Sequence, residues 1–128
     1  MGSAATNDEL VRRMLSAWER RDTGFILEHL ADDALYQAMP LRPIVGRGEL
    51  EPWVRSFEGV PPGRLEIRNQ VAGDNVVMNE RVDRITIEGT EVTLPICAVF
   101  EITGDRITAW REYFDLAGLR TTLTGGKP

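Results

Sequence analysis

In a chain of 128 residues with one histidine and one cysteine, the side chains best placed to do chemistry are charged ones standing in apolar rows. If Ile107–Phe114 is extended, Thr108, Trp110, Glu112 and Phe114 share one face, because side chains along a strand alternate with period two. Glu112 then stands between two aromatic neighbours. A carboxylate buried there without a full partner has its pKa raised and becomes a better base near neutrality. The same alternation in Val76–Ile87 groups Val77, Asn79, Arg81, Asp83, Ile85 and Ile87, so Arg81 and Asp83 are polar within an apolar row. An Arg81–Asp83–Glu112 cluster suits acid–base work. It equally suits a structural ion-pair network, or Arg81 and Glu112 can face water on an edge strand, and periodicity leaves these readings open. Tyr36 has the same ambiguity, as a core tyrosine with a satisfied hydroxyl or as a donor in a site.

Other chemistries find little support. His29, the only histidine, sits on a short helix beside Leu30 and reads as a helix-surface or half-buried residue. One histidine and one cysteine without paired spacing do not make a zinc site, and no cofactor is expected. No GxGxxG, phosphate-binding loop or Gly-x-Ser-x-Gly element is present. Cys97 lies in the apolar run Leu94–Phe100, where a buried, inert thiol is expected. A single cysteine also forbids an intrachain disulfide and fits a reducing cytoplasm. The net charge of −5, from 20 acids against 15 bases, argues against a nucleic acid or an anionic membrane as partner. No apolar stretch approaches the ~18 residues of a membrane span. Met1 to Asn7 has neither the basic nor the apolar region of a signal peptide.

The elements that must position these residues follow from the pattern. Leu10, Val11, Met14, Leu15 and Trp18 recur at helical spacing after a cap at Thr6 or Asn7. A second, short helix runs from Phe25 to about Leu30, and Ala34–Met39 is a brief extended piece closed by Pro40 and Pro43. A third helix follows Gly46-Arg47-Gly48, with Leu50, Trp53, Val54 and Phe57 as its apolar face. From Leu65 the period changes to two, predicting strands at Leu65–Ala72, Val76–Ile87, Val92–Ile102 and Ile107–Phe114. Gly73-Asp74-Asn75, Glu88-Gly89-Thr90 and Gly104-Asp105 make the turns. Helices first and an antiparallel meander afterwards give one α+β domain over 1–128, with helices on one face of a sheet. Residues 1–6 and 121–128 are expected to be flexible ends.

Three segments together resemble the limonene-1,2-epoxide hydrolase family. They are Tyr36-Gln37-Ala38-Met39-Pro40-Leu41, Glu80-Arg81-Val82-Asp83 and Ala109-Trp110-Arg111-Glu112-Tyr113-Phe114-Asp115-Leu116. Their order and spacing extend the resemblance over most of the chain, and Leu94–Phe100 also looks like a strand of that family. The resemblance implies an NTF2-like or SnoaL-like cone, a curved mixed or antiparallel sheet around a pocket with three to four helices in the N-terminal half. It also implies a cofactor-free enzyme that is a homodimer and takes a small lipophilic epoxide.

By the same resemblance Asp83 is the general acid that protonates the epoxide oxygen. Arg81 bridges the two carboxylates, Glu112 takes a proton from the attacking water, and Tyr36 hydrogen-bonds that water. Neighbouring acids in a dry site titrate as a coupled set with separated pKa values, which suits this division. Met39, Ile85, Leu94, Ile96 and Phe114, with Ala38, match positions lining the family's substrate cavity. Two positions depart from the family pattern. Ala38 stands where an asparagine normally helps hold the water, and Glu112 replaces an aspartate, adding about 1.5 Å of reach (one bond). Ala38 therefore keeps a second reaction in view, opening of the epoxide by the substrate's own hydroxyl to give a cyclic ether. A non-catalytic binder of lipophilic molecules uses the same fold. Proton abstraction beside a carbonyl, as in ketosteroid isomerases, shares the architecture without matching the motif.

Overall fold

The computed structural model describes residues 3–125. In chain order the elements are α1 (Ala4–Arg20), α2 (Thr23–Glu28), β1 (Leu30–Met39), β2 (Ile44–Val45), α3 (Arg47–Arg55), β3 (Arg64–Ala72), β4 (Val76–Ile87), β5 (Thr90–Thr103), β6 (Arg106–Tyr113) and α4 (Leu116–Leu123). The six strands form one sheet in the order β2-β1-β6-β5-β4-β3. β3 to β6 make the expected antiparallel meander, and β1 returns beside β6 in parallel, so the sheet is mixed.

Three differences from the sequence reading have local causes. α1 begins earlier than Thr6 or Asn7, because the Ser3 hydroxyl accepts the Thr6 N–H at 3.1 Å and caps it. Asn7 is instead buried, its amide donating to Gly73 O at 3.0 Å and Asp74 O at 2.9 Å, which ties α1 to the β3–β4 turn. β1 starts at Leu30, with an irregularity before Leu35 that lets exposed Asp32 and Asp33 leave the ladder. α4 was not expected; it is capped by the Asp115 carboxylate, which accepts the Gly118 N–H at 2.9 Å. Ala4–Thr6 and Thr121–Leu123 are thus helical, and the fourth helix is C-terminal. Residues 1–2 and 126–128 of those expected ends lie outside the described residues.

The core lies between α1, α3 and one face of the sheet. α1 buries Leu10, Val11, Met14, Leu15 and Trp18, α3 buries Leu50 and Val54, and the sheet answers with Val77, Ile96, Ala98, Phe100 and Trp110. Each such side chain stabilises the fold by roughly 1.5–3 kcal/mol relative to exposure, so polar groups left among them call for a reason. β5 alternates strictly: Val92, Leu94, Ile96, Ala98 and Phe100 point inward, while Thr93, Pro95 and Cys97 point outward. Cys97 is therefore exposed, not buried as its apolar run suggested.

Candidate active site

Strand pairing brings the polar residues of the inner face together. β6 lies between β1 and β5, so Glu112 has Ala38 on one side and Ala98 on the other in register. These two small side chains leave room for the longer glutamate. On β4, Arg81 and Asp83 point to the same face, with Leu94 and Leu65 flanking Asp83. Arg81, Asp83 and Glu112 are buried, at 1%, 4% and 8% exposure. That rules out the solvated-edge reading of the sequence.

Arg81 organises the cluster. Its Nε donates to Asp83 Oδ1 at 3.0 Å and its Nη2 to Asp83 Oδ2 at 2.9 Å, a two-point grip on the carboxylate. Nη2 also donates to Glu112 Oε2, so one guanidinium bridges both acids. Tyr36 donates its hydroxyl to Glu112 Oε1 at 2.7 Å, and Trp110 Nε1 donates to Oε2 at 3.2 Å. Such charge-assisted, many-point contacts hold the groups more firmly than lone hydrogen bonds do.

Behind the arginine runs a chain of amides. Arg81 Nη1 donates to Asn79 Oδ1 at 3.3 Å, Asn79 Nδ2 to Gln70 Oε1 at 3.0 Å, and Gln70 Nε2 to Asp8 Oδ1 at 2.8 Å. Asn79 was visible in the sequence only as a member of a row; its role depends on partners from β3 and α1.

Burial and the neighbouring charges set the electrostatics of the cluster. Burial pushes the Asp83 carboxyl above its ordinary value; Arg81 pulls it back part-way, and the charges of Glu112 and Glu19 add to the rise. Tyr36 is raised well above the usual phenol range by burial and by the charge of Glu112, so it stays a neutral donor. For Arg81, burial opposes the charge, but Glu112 and Asp83 outweigh it and keep the guanidinium protonated.

The cluster opens onto a cavity of about 340 Å³, at the compact end of small-molecule sites, which run from ~300 to 1,000 Å³. Asp83, Glu112 and Tyr36 line it. Trp18, Trp53, Phe57 and Trp110 form an aromatic wall, Leu65, Ile85 and Ile87 an aliphatic one, and Glu19, Arg21 and Thr86 add polar groups. α1 holds its contribution in place by two ties. Glu19 Oε2 accepts the Leu65 N–H at 2.7 Å, and Arg21, in the left-handed region at φ 58°, donates Nη2 to Pro61 O at 2.9 Å.

Of the six lining positions expected by resemblance, only Ile85 lines this cavity. Leu94 and Ile96 face inward but are buried in the core. Ala38 is on the inner face beside Glu112, outside the cavity wall. Met39 pairs in register with exposed Tyr113, and by parity it points to the outer face, opposite Tyr36 and Ala38. Phe114 lies past the end of β6 and packs against the core. The missed wall comes from Trp18 of α1, Trp53 of α3 and Phe57, which lies in the turn past Ser56, the C-cap of α3, and not on that helix as its spacing suggested. His29 follows α2, half-buried and stacked on Phe25 with ring centroids 4.0 Å apart, away from the site. Among the described residues no helix is long and apolar enough to cross a membrane.

Comparison with known proteins bears on this arrangement. Residues 5–124 match the family described as the limonene-1,2-epoxide hydrolase catalytic domain. The chain is 30% identical over 116 residues to epoxide hydrolase EphG of Mycobacterium tuberculosis (strain ATCC 25618 / H37Rv), covering 91% of this chain and 78% of that one. Among solved structures it is similar to an M. tuberculosis LEH-like epoxide hydrolase, with a TM-score of 0.81 and 27% identity over 95% of this chain and 98% of the other. A Burkholderia pseudomallei K96243 NTF2-like protein of unknown function, at 21% identity, shares the fold with a TM-score of 0.78 over 89% and 94% of the two chains.

Proposed function

This chain belongs to the limonene-1,2-epoxide hydrolase family and is an epoxide hydrolase of NTF2-like fold. From that premise we propose that it opens a compact lipophilic epoxide to a vicinal diol in one concerted step, with residues 1–128 acting as a single domain. The carrying observation is the buried Arg81 that joins Asp83 to Glu112 at the edge of an apolar cavity.

Asp83, whose raised pKa favours its protonated form, gives its proton to the ring oxygen as the C–O bond breaks. Water attacks the ring carbon from the other side and loses a proton to Glu112, with its oxygen held by Tyr36. The products are a diol, a protonated Glu112 and an ionised Asp83. Proton exchange with solvent through the cavity resets the pair. No ester to the enzyme forms and no cofactor takes part.

In this chain the Tyr36 hydroxyl bonds Glu112 directly, and Ala38 offers no amide to the water. Poor positioning of a nucleophile can cost about 10²-fold. Ala38→Asn is therefore expected to raise kcat for diol formation by roughly tenfold or more within that range, with KM little changed. Steady-state kinetics on cyclohexene oxide checks it, and an unchanged or lower kcat would show that Ala38 is not the weak point.

Ala38 also favours a second reaction, in which a hydroxyl of the substrate attacks in place of water. An epoxy-alcohol in oxygen-18 water separates the two. A labelled diol supports hydrolysis; an unlabelled cyclic ether supports cyclisation.

We further propose a homodimer, joined through the outer face of the sheet, and a cytoplasmic location. The dimer is supported by Val71, Met78 and Tyr113, exposed at 68%, 49% and 44%. Val71, Met78 and Val99 stand in register across β3, β4 and β5. Contiguous apolar surface of this kind marks interaction sites more often than isolated residues do. Light scattering is expected to give twice 14.4 kDa and Met78→Lys a mass near the single chain; a wild-type monomer would refute the dimer.

A further inference from the structure

All three tryptophans of the chain (Trp18, Trp53 and Trp110) line the cavity. Trp53 is the centre of this wall. It lies 4.3 Å from Tyr36 at an interplanar angle of 31°, 5.3 Å from Trp18 at 56°, and 5.5 Å from Phe57 at 87°. Tyr36, Trp53 and Phe57 are only half-buried, so the helices and the sheet leave part of these rings uncovered at the cavity. The wall thus offers ring faces and ring edges in several orientations around one small space. Beside it stand Tyr36 and Glu112, the proposed water-activating pair, and Asp83 and the aliphatic residues Leu65, Ile85 and Ile87 line the same space.

This arrangement discriminates between ligand classes. A cation is a poor fit, because the Arg21 guanidinium already sits 5.8 Å from the Phe57 ring centroid and the acidic pair is bridged by Arg81. A saturated ring would be held by area burial alone. An aromatic ring gains in addition from offset-stacked and edge-to-face contacts, which depend on its quadrupole.

We infer that the preferred substrate carries an aryl group seated against Trp53 and Phe57, with its epoxide between Asp83 and Glu112. The inference rests on the epoxide-hydrolase reading of the same site and adds the substrate class to it. The aryl group is a positioning handle: remote contacts that hold it orient the ring carbon toward the attacking water. Trp53 and Phe57 are specificity-determining residues and take no part in proton transfer.

Matched substrates test this. Benzyl-oxirane and cyclohexylmethyl-oxirane have the same chain and the same epoxide, and in neither is the ring attached to the reacting carbon. The aryl compound is expected to show about tenfold higher kcat/KM, the scale that favourable aromatic contacts support. The two product diols provide a readout free of turnover, by quenching of the tryptophan fluorescence; the aryl diol should bind more tightly in the same proportion. Trp53→Leu should bring both ratios to about twofold or less, with Trp18 and Trp110 remaining as reporters. Phe57→Leu should reduce them in the same sense if Trp53→Leu does not fold. Equal affinity for the two diols, or a ratio unchanged in both variants, overturns the inference. Tighter binding of the aryl diol without hydrolysis of either epoxide supports the ligand class while refuting the proposed reaction at this site.

Discussion

Asp83→Asn is expected to remove diol formation almost entirely, with kcat lowered by at least about 10³-fold, within the range that one general acid contributes. Asparagine keeps the shape and still offers an N–H toward an epoxide oxygen. It cannot deliver a proton, so the opening ring must leave as a strongly basic alkoxide in an apolar cavity. That charge is what the site is least able to stabilise, since the guanidinium of Arg81 is already engaged with Glu112 and residue 83. The binding of a product diol, read by tryptophan fluorescence, should change little, because asparagine keeps the shape of the wall at residue 83 and the aromatic and aliphatic walls are unchanged. An enzyme thus loses turnover and keeps affinity. If Asp83→Asn hydrolyses epoxides at close to the wild-type rate, Asp83 is not the acid and the mechanism falls. The wild-type pH profile gives an independent check. A general acid acts only when protonated, so kcat should fall on the alkaline side as pH rises through the elevated pKa of Asp83. Asp83→Asn should lack that limb in whatever activity remains.

The ends of the meander strands were legible because period two is a local signal and their turns carry glycine at Gly73, Gly89 and Gly104. β4 runs over Val76–Ile87 as the pattern predicted, and parity correctly put Arg81, Asp83 and Glu112 on the inner face. What parity could not tell was whether that face was dry, since burial depends on helices packing over it. β1 was half hidden because Asp32 and Asp33 are poor strand formers; they are tolerated where the strand is irregular and exposed. Asn7 looked like a helix cap because its type suits one, while its partners lie 66 and 67 residues away. Most of the wall positions expected from the resemblance lie elsewhere in the structure. Met39 illustrates why: one position from Ala38 turns a side chain to the other face. Trp18, Trp53 and Phe57 have helical spacing that fits a buried stripe, and only the contacts between α1, α3 and β6 show the stripe ending at an open space.

Removing the arginine should have the largest effect on stability. Arg81→Met takes away the cation that bridges two buried carboxylates, while preserving much of the volume of the largest fully buried side chain among the described residues. Breaking a buried ion pair from one side typically costs about 3–5 kcal/mol, since the charge left behind cannot regain its hydration. With Arg81 gone, the burial that raises the Asp83 carboxyl is no longer opposed, and Asp83 can escape by taking up a proton, so the folded variant holds a proton that the unfolded chain has already lost. Where the folded state binds more protons, stability falls as pH rises. Urea denaturation should therefore show a modest deficit for Arg81→Met near pH 4, growing steadily toward pH 8. Arg81→Met/Asp83→Leu/Glu112→Met removes the charges together and should recover most of the loss, because apolar groups of similar volume often replace a buried ion cluster without penalty. Recovery in the triple variant, with no turnover, would mean that the cluster is held for chemistry at a cost to the fold. A pH-independent loss, or a triple variant no more stable than Arg81→Met, would instead make Arg81 a packing residue and return the cluster to a structural role.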